Sequence, residues 1–382
     1  MSERFRLLYL ADEPNARIPG VLFPADPLAH PHPEMCQTYE TYLFGPTDDN
    51  DVAVDGMAHF LELPRTGVLW NPLARLKVLR LINRLRPDAL LVRGAAARVL
   101  GMSAAKSLGV PIRQVLATDL GHWLTLPVLR SLVRANERVS RFVTDSFIAA
   151  QRLIRQEQVH RNQIDIMRWG VDVSRYGHRS EESVIEAKHR LGLSAHQPLI
   201  LASGHYAVTQ DYDTLLFAIR QMLPHQKDVR LVIWGTGGSE LPAEIRAGIK
   251  RHGLEEHVIE PPPSMSLETC IAAADVGVVT SYVESCSPYL LSYMAAGLPA
   301  VAVNVGGNNE LLVHGESGYL VDFKDADQLA MFITILLLSP ELAERFGGAA
   351  RARALENHSM DDALRAREDF FRMMAYNAVG AR

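Results

Sequence analysis

The 382-residue sequence is poor in cysteine, and its three cysteines, Cys36, Cys270 and Cys286, are scattered along the chain. Three are too few for the disulfide framework of a small secreted protein, and no pair has the spacing of metal ligands. We therefore expect a protein of a reducing, intracellular compartment.

A long hydrophobic run is also lacking. No stretch approaches the roughly 18 apolar residues of a membrane-spanning helix, so none is predicted. The start, MSERFRLLYLADEP, has a short apolar run that soon meets acidic residues, which is typical of a buried first strand and not of a signal peptide. Aromatic residues are sparse at 7%, whereas 48% hydrophobic and 22% charged residues are ordinary for a soluble globular protein.

Positive charge is scarce in the second half of the chain. Residues 1–178 hold 22 Lys+Arg against 18 Asp+Glu, and the remainder holds 17 against 26. A basic first half could face an anionic partner, or the difference could be incidental. We expect no nucleic-acid partner.

Short apolar β-type runs alternate with amphipathic helical patterns throughout. In the first half FRLLYLA, ALLVRG, RQVLATD and RFVTDS are predicted strands, and after residue 180 the predicted strands are QPLILASG, VRLVIWG, HVIEPP, DVGVVTS, AVAVNV and GYLVD. Strand–helix alternation with short connections predicts parallel sheets covered by helices on both faces. We therefore predict an α/β protein of two doubly wound domains, residues 1–178 and 179–359, joined near WGVDVSRYGHRSEES.

Two stretches leave alternatives open. Residues 24–58 are rich in proline and acids, and His30 and His32 there are either metal ligands or loop residues. The basic helical pattern from Asn71 to Arg86 either lies on anionic lipid headgroups or is an outer helix whose leucines face the sheet.

The segment VESCSPYLLSYMAAGLPAVAVNVGGNNEL predicts a ligand pocket at a sheet edge. Ser287 suits a helix N-cap and Pro288 the first helical position, and Gly297 followed by Pro299 predicts the helix end. Such a helix start can bind phosphate through its backbone N–H groups. The next strand is followed by Gly306 and Gly307, which allow close backbone approach to a ligand.

Two carboxylates, Glu284 and Glu310, would lie on these neighbouring loops, where they could accept hydrogen bonds from sugar hydroxyls. The segment resembles the donor-binding block of retaining GT-B-fold glycosyltransferases of family 4. The resemblance covers most of residues 140–380. The residues of the quoted segment that match the family are Glu284, Met294, Ala295, Gly297, Pro299, Gly306, Gly307 and Glu310. The other matching segments are TDS, RWGVDVSRY, WGTGG (which contains Gly235), HGESGYLVDFKDADQLA and HSMDDALRAREDFFRMMAY.

The resemblance implies a closing helix at residues 360–380 that returns to the first domain. It implies that Glu284 binds hydroxyls of the donor sugar. In the family, a glutamate at the position of Ser292 binds the ribose of the nucleotide through two hydroxyls. Serine cannot make that bidentate contact. Three alternatives stay open: a water molecule bridges Ser292 and the ribose, other residues bind the ribose, or no ribose is bound.

The family also places an arginine and a lysine after the first strand of the second domain, where they neutralise the donor diphosphate. In register after Gly204, these positions are His205 and Gln210. Our hypothesis is that Arg93, Arg168 or both supply the missing positive charge; a surface ion pair is the alternative for each. His122 in DLGHW is a candidate acceptor-side residue or a packed loop histidine.

The sequence thus predicts a metal-independent transferase without a cofactor, in which Glu284, His122 and His205 are the candidate catalytic residues. The donor is expected to be a nucleotide diphosphate sugar, UDP- or GDP-linked, and the acceptor a glycan, lipid-linked or small-molecule hydroxyl. Two other interpretations stay open: a catalytically inactive subunit that binds or activates a partner protein, and a transferase that uses a phosphate-linked donor without a nucleotide. We expect a cytoplasmic protein, with peripheral contact to the inner membrane through residues 71–86 as an open alternative.

Overall fold

The computed structural model describes the carboxyl-terminal half almost continuously and the amino-terminal half in segments. The described residues are 5–11, 21–22, 39–45, 58–62, 72–93, 98, 101, 104, 107–108, 112–116, 136, 139–177, 180–206, 210–236, 240–262, 264–282 and 284–379. Contacts divide the chain into unit 1, with Met1–Arg17, Leu22–Trp169 and Asp361–Arg382, and unit 2, with Ile18–Val21 and Gly170–Met360.

Unit 1 is built on a seven-stranded sheet in the order β4-β3-β1-β5-β6-β7-β8, in which every pairing is parallel. The four strands predicted for the first half all form. The strands are β1 (Phe5–Ala11), β3 (Tyr39–Gly45), β4 (Ala58–Glu62), β5 (Ala89–Arg93), β6 (Ile112–Leu116), β7 (Val139–Thr144) and β8 (Ile164–Ile166), and a short β2 (Val21–Leu22) lies outside this sheet.

Helices α1 (Pro72–Leu85) and α2 (Phe147–Glu157) belong to unit 1. In α1, Val78 and Ile82 are buried whereas Arg80 and Arg84 are exposed. This is the pattern of an outer helix that packs its apolar side on the sheet. Strand β3 falls inside the stretch 24–58 in which the sequence predicted no element, while His30 and His32 lie outside the described residues.

Unit 2 has a six-stranded parallel sheet in the order β12-β11-β10-β13-β14-β15. Its strands are β10 (Leu199–His205), β11 (Arg230–Thr236), β12 (Val258–Ile259), β13 (Val276–Val279), β14 (Ala300–Val303) and β15 (Tyr319–Val321), with a separate β9 (Gly170–Val171) near the start of the unit. Strands β13 and β14 are buried at every position, as expected for a sheet covered on both faces.

The helices of unit 2 connect and cover these strands. They are α3 (Glu181–Arg190), α4 (Tyr212–Met222), α5 (Ala243–Arg251), α6 (Leu267–Ala273), α7 (Pro288–Ala296), α8 (Asn308–Leu311), α9 (Ala326–Leu338) and α10 (Pro340–Asn357). A last helix, α11 (Met360–Val379), follows, and all of it after Met360 belongs to unit 1. Each of the two units therefore has the predicted α/β architecture, a parallel sheet with accompanying helices.

Unit 2 contains a buried charge that fixes α3. Lys188 is 4% exposed, and its ammonium donates to the carbonyl of Gln197 at 2.9 Å and to both carboxylate oxygens of Asp275 at 2.9 and 3.1 Å. Asp275 in turn accepts from the backbone N–H of Leu199, the first residue of β10. A buried charge is tolerated only when it is paired and hydrogen-bonded in this way.

No single helix in the described part of the chain is long and apolar enough to cross a membrane. Helices α9 and α10 reach the length and apolar composition of a membrane-spanning helix only when taken together, and they are separated by a bend of 104°.

Candidate functional site

The strand order of unit 2 creates a topological switch point between β10 and β13. To one side of β10 the sheet continues with β11 and β12, and beyond β13 it continues with β14 and β15. The loops that leave the two central strands at their carboxyl ends therefore diverge and open a crevice, the usual place for a ligand in such sheets. Here they are tied together, because Gln210 and Ser281 form an antiparallel bridge and the N–H of Asp211 donates to the carbonyl of Thr280 at 3.1 Å.

The loop after β10 folds its own side chains onto two glycines. A Cβ atom added to Gly204 would lie 2.7 Å from Cδ of Gln210, and one added to Gly235 would collide with the ring of Tyr206. Both glycines lie in segments that the family resemblance places at the donor. In unit 2 as described, they make room for the side chains of Gln210 and Tyr206.

These two side chains border a pocket of about 600 Å³ in unit 2. His205 is the last residue of β10, and its side chain lies outside the described part of the chain. Burial raises the pKa of the Tyr206 hydroxyl to about 12.

The helix after β13 begins and ends as the sequence predicts. Ser287 caps α7 by accepting from the N–H of Leu290 at 3.4 Å, Pro288 is the first helical residue, and Gly297 closes the helix with a φ of 68°. Glu284 lies half-buried in the loop between β13 and this helix start. A carboxylate and a helix N-terminus therefore share one loop at the crevice.

Ser292, the predicted ribose position, is fully buried. Its Oγ donates to the carbonyl of Pro288 at 3.0 Å, one turn back in the same helix. It lies beside the buried side chain of Tyr176, whose pKa burial raises to about 12. The hydroxyl of Ser292 is therefore used inside unit 2 and is not accessible at the crevice.

The turn after β14 provides the second loop of the site. Gly306 has a φ of 52°, which favours glycine, and Gly307 precedes the short helix α8 that contains Glu310. Buried Asn308 anchors this turn, since its Nδ2 donates to the carbonyl of Val303 at 3.0 Å. Arg353 of α10 holds the far side by donating to the carbonyl of Glu310 at 3.2 Å.

A layer of aromatic side chains supports the crevice from below. The hydroxyl of Tyr293 donates to the carbonyl of Leu201 at 3.2 Å, and its ring occupies the space beside Gly277. Trp234 packs edge-on against Tyr289 and donates through Nε1 to the carbonyl of Met265 at 3.1 Å. These contacts make the floor rigid, and motif spacing does not predict them.

The sequence also did not identify an aromatic pair at this edge, half-buried Tyr282 after β13 and exposed Phe323 after β15. Each follows a strand that was predicted for the same sheet, and this was the available signal. Lys324, next to Phe323, was likewise missed.

Negative charge dominates the described loops at this edge. Among their residues, Lys324 is the only lysine or arginine. The carboxylates of the same loops are Asp211, Glu240, Glu260, Glu284, Asp322 and Asp325. Within the described residues, no group of three or more His, Cys, Asp or Glu side chains could hold a metal ion.

The candidate residues of unit 1 lie near strand ends. Arg93 is the last residue of β5 and is half-buried, and Arg168 is exposed in the segment between β8 and β9. His122 lies outside the described residues.

Comparison with known proteins places these observations in context. Residues 184–353 match the family model of glycosyl transferases group 1. The D-inositol 3-phosphate glycosyltransferase of Streptomyces avermitilis is 29% identical over 240 residues, 60% of this chain and 51% of that protein. The enzyme of the same name from Thermobispora bispora is 30% identical over 227 residues, 56% of this chain and 52% of that protein. The chain therefore spans about half the length of these curated relatives.

Solved structures share the fold at low identity. Anabaena Alr3699/HepE in complex with UDP-glucose has a TM-score of 0.78 at 19% identity, covering 97% of this chain and 100% of that one. Sucrose-phosphate synthase from Thermosynechococcus elongatus has a TM-score of 0.77 at 18% identity, covering 97% and 99%. These similarities support the GT-B fold.

Proposed function

We propose that this chain transfers a glycosyl unit from a nucleotide diphosphate sugar to a hydroxyl group of an acceptor, in keeping with the match of residues 184–353 to the family model of glycosyl transferases group 1. The observation that carries the proposal is the joining of Glu284, the capped start of α7 and the Gly306–Gly307 turn at one sheet edge. Independence from a metal ion and retention of configuration at the anomeric carbon belong to the proposal through the family 4 resemblance.

The donor phosphates lie against the backbone N–H groups at the start of α7, where the helix dipole favours negative charge. Glu284 and Glu310 accept hydrogen bonds from hydroxyls of the donor sugar and fix its orientation. Catalysis then consists mainly of positioning and of stabilising the departing phosphate. The UDP-glucose complex of the Anabaena protein supports a nucleotide donor, and the names of the curated relatives support transfer of a glycosyl unit.

A second candidate is a catalytically inactive subunit that binds a partner. It is favoured by Gln210 and Tyr206, which cover Gly204 and Gly235 in the segments that the family resemblance places at the donor, and by the burial of Ser292. The same observations suit a transferase whose phosphate-linked donor has no ribose.

Titration calorimetry separates these candidates. The intact, folded chain is titrated with UDP-, GDP- and ADP-glucose and with the free nucleotides. We expect at least one nucleotide sugar to bind with a micromolar or lower dissociation constant, because the α7 start and the two carboxylates address both phosphate and sugar. Binding without consumption of the donor, for any acceptor class tried, would favour the inactive subunit. No heat across the whole panel would contradict the nucleotide donor.

A further inference from the structure

Three residues at the carboxyl edge of unit 2 form a cluster, called here the aromatic platform: Tyr282, Phe323 and Lys324. The ring centroids of Tyr282 and Phe323 are 5.2 Å apart at an angle of 44°, and the Lys324 ammonium lies 5.2 Å from the Phe323 centroid. Phe323 is 44% exposed. Tyr282 is half-buried. A partly exposed aromatic pair beside a cation is a surface that can bind a ring.

The platform adjoins the proposed donor site. Tyr282 lies two residues before Glu284, and Phe323 lies two residues after the end of β15. Strand β14, whose turn carries Gly306 and Gly307, lies between β13 and β15 in the sheet. The two rings therefore meet at the carboxyl end of β14, next to the turn that the proposed function assigns to the donor.

Lys324 has a backbone conformation that lysine rarely adopts. Its φ is 65°, in the left-handed region where residues other than glycine are disfavoured. It lies in a tight turn, in which the N–H of Asp325 donates to the carbonyl of Asp322 at 3.2 Å. Glycine would serve this turn without strain. A strained residue that persists at a ligand-facing edge points to a role for its side chain.

Charge supports the same conclusion. Within the described loops of this edge Lys324 is the only lysine or arginine, and it makes no ion pair with a described carboxylate. Its described side-chain partner is the Phe323 ring. The ammonium is therefore available to an external anion.

We propose that the aromatic platform binds a sugar ring that carries an anionic substituent, a phosphate or a carboxylate. The apolar face of the ring packs on Phe323 and Tyr282, whose negative faces attract its C–H groups, and the anion pairs with Lys324. The inference rests on the proposed function, because it names the class of sugar that this transferase handles. The anionic sugar is either the glycosyl unit of the donor or the acceptor.

The test compares matched charged and neutral sugars on the intact chain. One arm titrates UDP-glucuronic acid against UDP-glucose, and the other titrates glucose 6-phosphate and glucuronic acid against glucose. We expect the charged ligand to bind about 10-fold more tightly in one arm, corresponding to one charge-assisted contact. Preference in the first arm identifies the donor as the anionic sugar, and preference in the second identifies the acceptor.

Three variants and one control variant locate the effect. Lys324→Gln and Lys324→Gly should both abolish the preference for charged sugars, while Lys324→Gly keeps or raises the thermal midpoint, by up to about 2–4 °C, because it relieves the strained turn. Phe323→Leu should weaken the binding of charged and neutral sugars to the same extent. Lys227→Gln is the control: it removes an exposed charge in the turn before β11. It should change neither the preference for charged sugars nor the affinity for neutral ones.

Two results would overturn the inference: equal affinity for charged and neutral sugars in both arms, or an unchanged preference in Lys324→Gln. If UDP-glucose binds but no preference for charge exists, the platform proposal fails and the proposed function stands. If charged sugars bind through Lys324 but no nucleotide sugar binds, the proposed nucleotide donor fails and the platform stands.

Discussion

Replacing Glu284 by glutamine should lower kcat/KM for sugar transfer by about 10²-fold or more and leave the fold intact. Hydrogen bonds to a charged group contribute about 1.5–3 kcal/mol each, and each 1.4 kcal/mol is about tenfold in rate. The loss of two such bonds to sugar hydroxyls therefore gives this effect. The residue lies in a half-buried loop outside the helices and strands, so its replacement should not disturb the sheet. The measurement is steady-state transfer with the donor that binds in calorimetry, accompanied by circular dichroism.

Glu316→Gln provides the matched control. It makes the same chemical change at an exposed position in a turn of the same unit, and its kcat/KM should stay within about twofold of the wild type, because a surface carboxylate contributes little. If Glu284→Gln retains the wild-type kcat/KM, Glu284 does not bind the donor sugar, and there is no longer a reason to place the sugar at this loop.

The second large effect concerns the stability of unit 1. Glu157 is fully buried at the end of α2, where its carboxylate pairs with Arg98 and with Arg152, the latter at 3.0 Å. The Nδ2 of Asn136 also donates to it at 3.2 Å. Glu157→Gln leaves two guanidinium groups buried without a counter-charge. Removal of one partner from a buried ion pair costs about 3–5 kcal/mol, and we expect a loss of this size in the free energy of unfolding.

The pH dependence follows from the same network. Burial by itself raises the pKa of Glu157, but Arg98 foremost, then Arg152 and the hydrogen bond from Asn136, lower it, and the net pKa lies below the ordinary 4.5. The stabilisation is therefore fully present above pH 4.5 and is lost as pH falls through the folded-state pKa. The stability difference between wild type and Glu157→Gln should narrow in that acidic range.

Urea denaturation, together with hydrogen exchange resolved by unit, measures this loss. Exchange should increase in peptides of β7 and α2 while peptides of unit 2 keep their protection. Glu186→Gln is the control, since Glu186 pairs with Arg190 on an exposed face of α3 and such pairs are worth about 0.3–0.5 kcal/mol. If Glu157→Gln lowers the free energy of unfolding no more than Glu186→Gln does, the prediction is wrong and the two buried arginines have found other partners.

The fold of unit 2 follows closely from sequence. Its six predicted strands form, and Ser287, Pro288 and Gly297 set the bounds of α7, because capping chemistry is local. In unit 1, β3 escaped prediction although YETYLFG is rich in β-forming residues. Its neighbours in the sequence are proline-rich and acidic, and only pairing with β1 and β4 makes it a strand.

The candidate site was predicted in part. The loops that bear Glu284, Gly306 and Glu310 are local consequences of strand ends. The burial of Ser292 beside Tyr176 and the packing of Tyr206 over Gly235 depend on tertiary contacts that spacing does not encode. The pair of Tyr282 and Phe323 joins residues about 40 positions apart, through a sheet order that the sequence did not specify.

Hydrogen exchange upon addition of the nucleotide sugar tests the central claim most directly, namely that backbone amides at the carboxyl edge of unit 2 hold the donor phosphates. We predict slower exchange in peptides that cover residues 284–291 and 304–310 at saturating donor, with no change in residues 192–198, which precede β10 at the opposite edge of the sheet. Unchanged exchange in both loops while the donor is bound would contradict it.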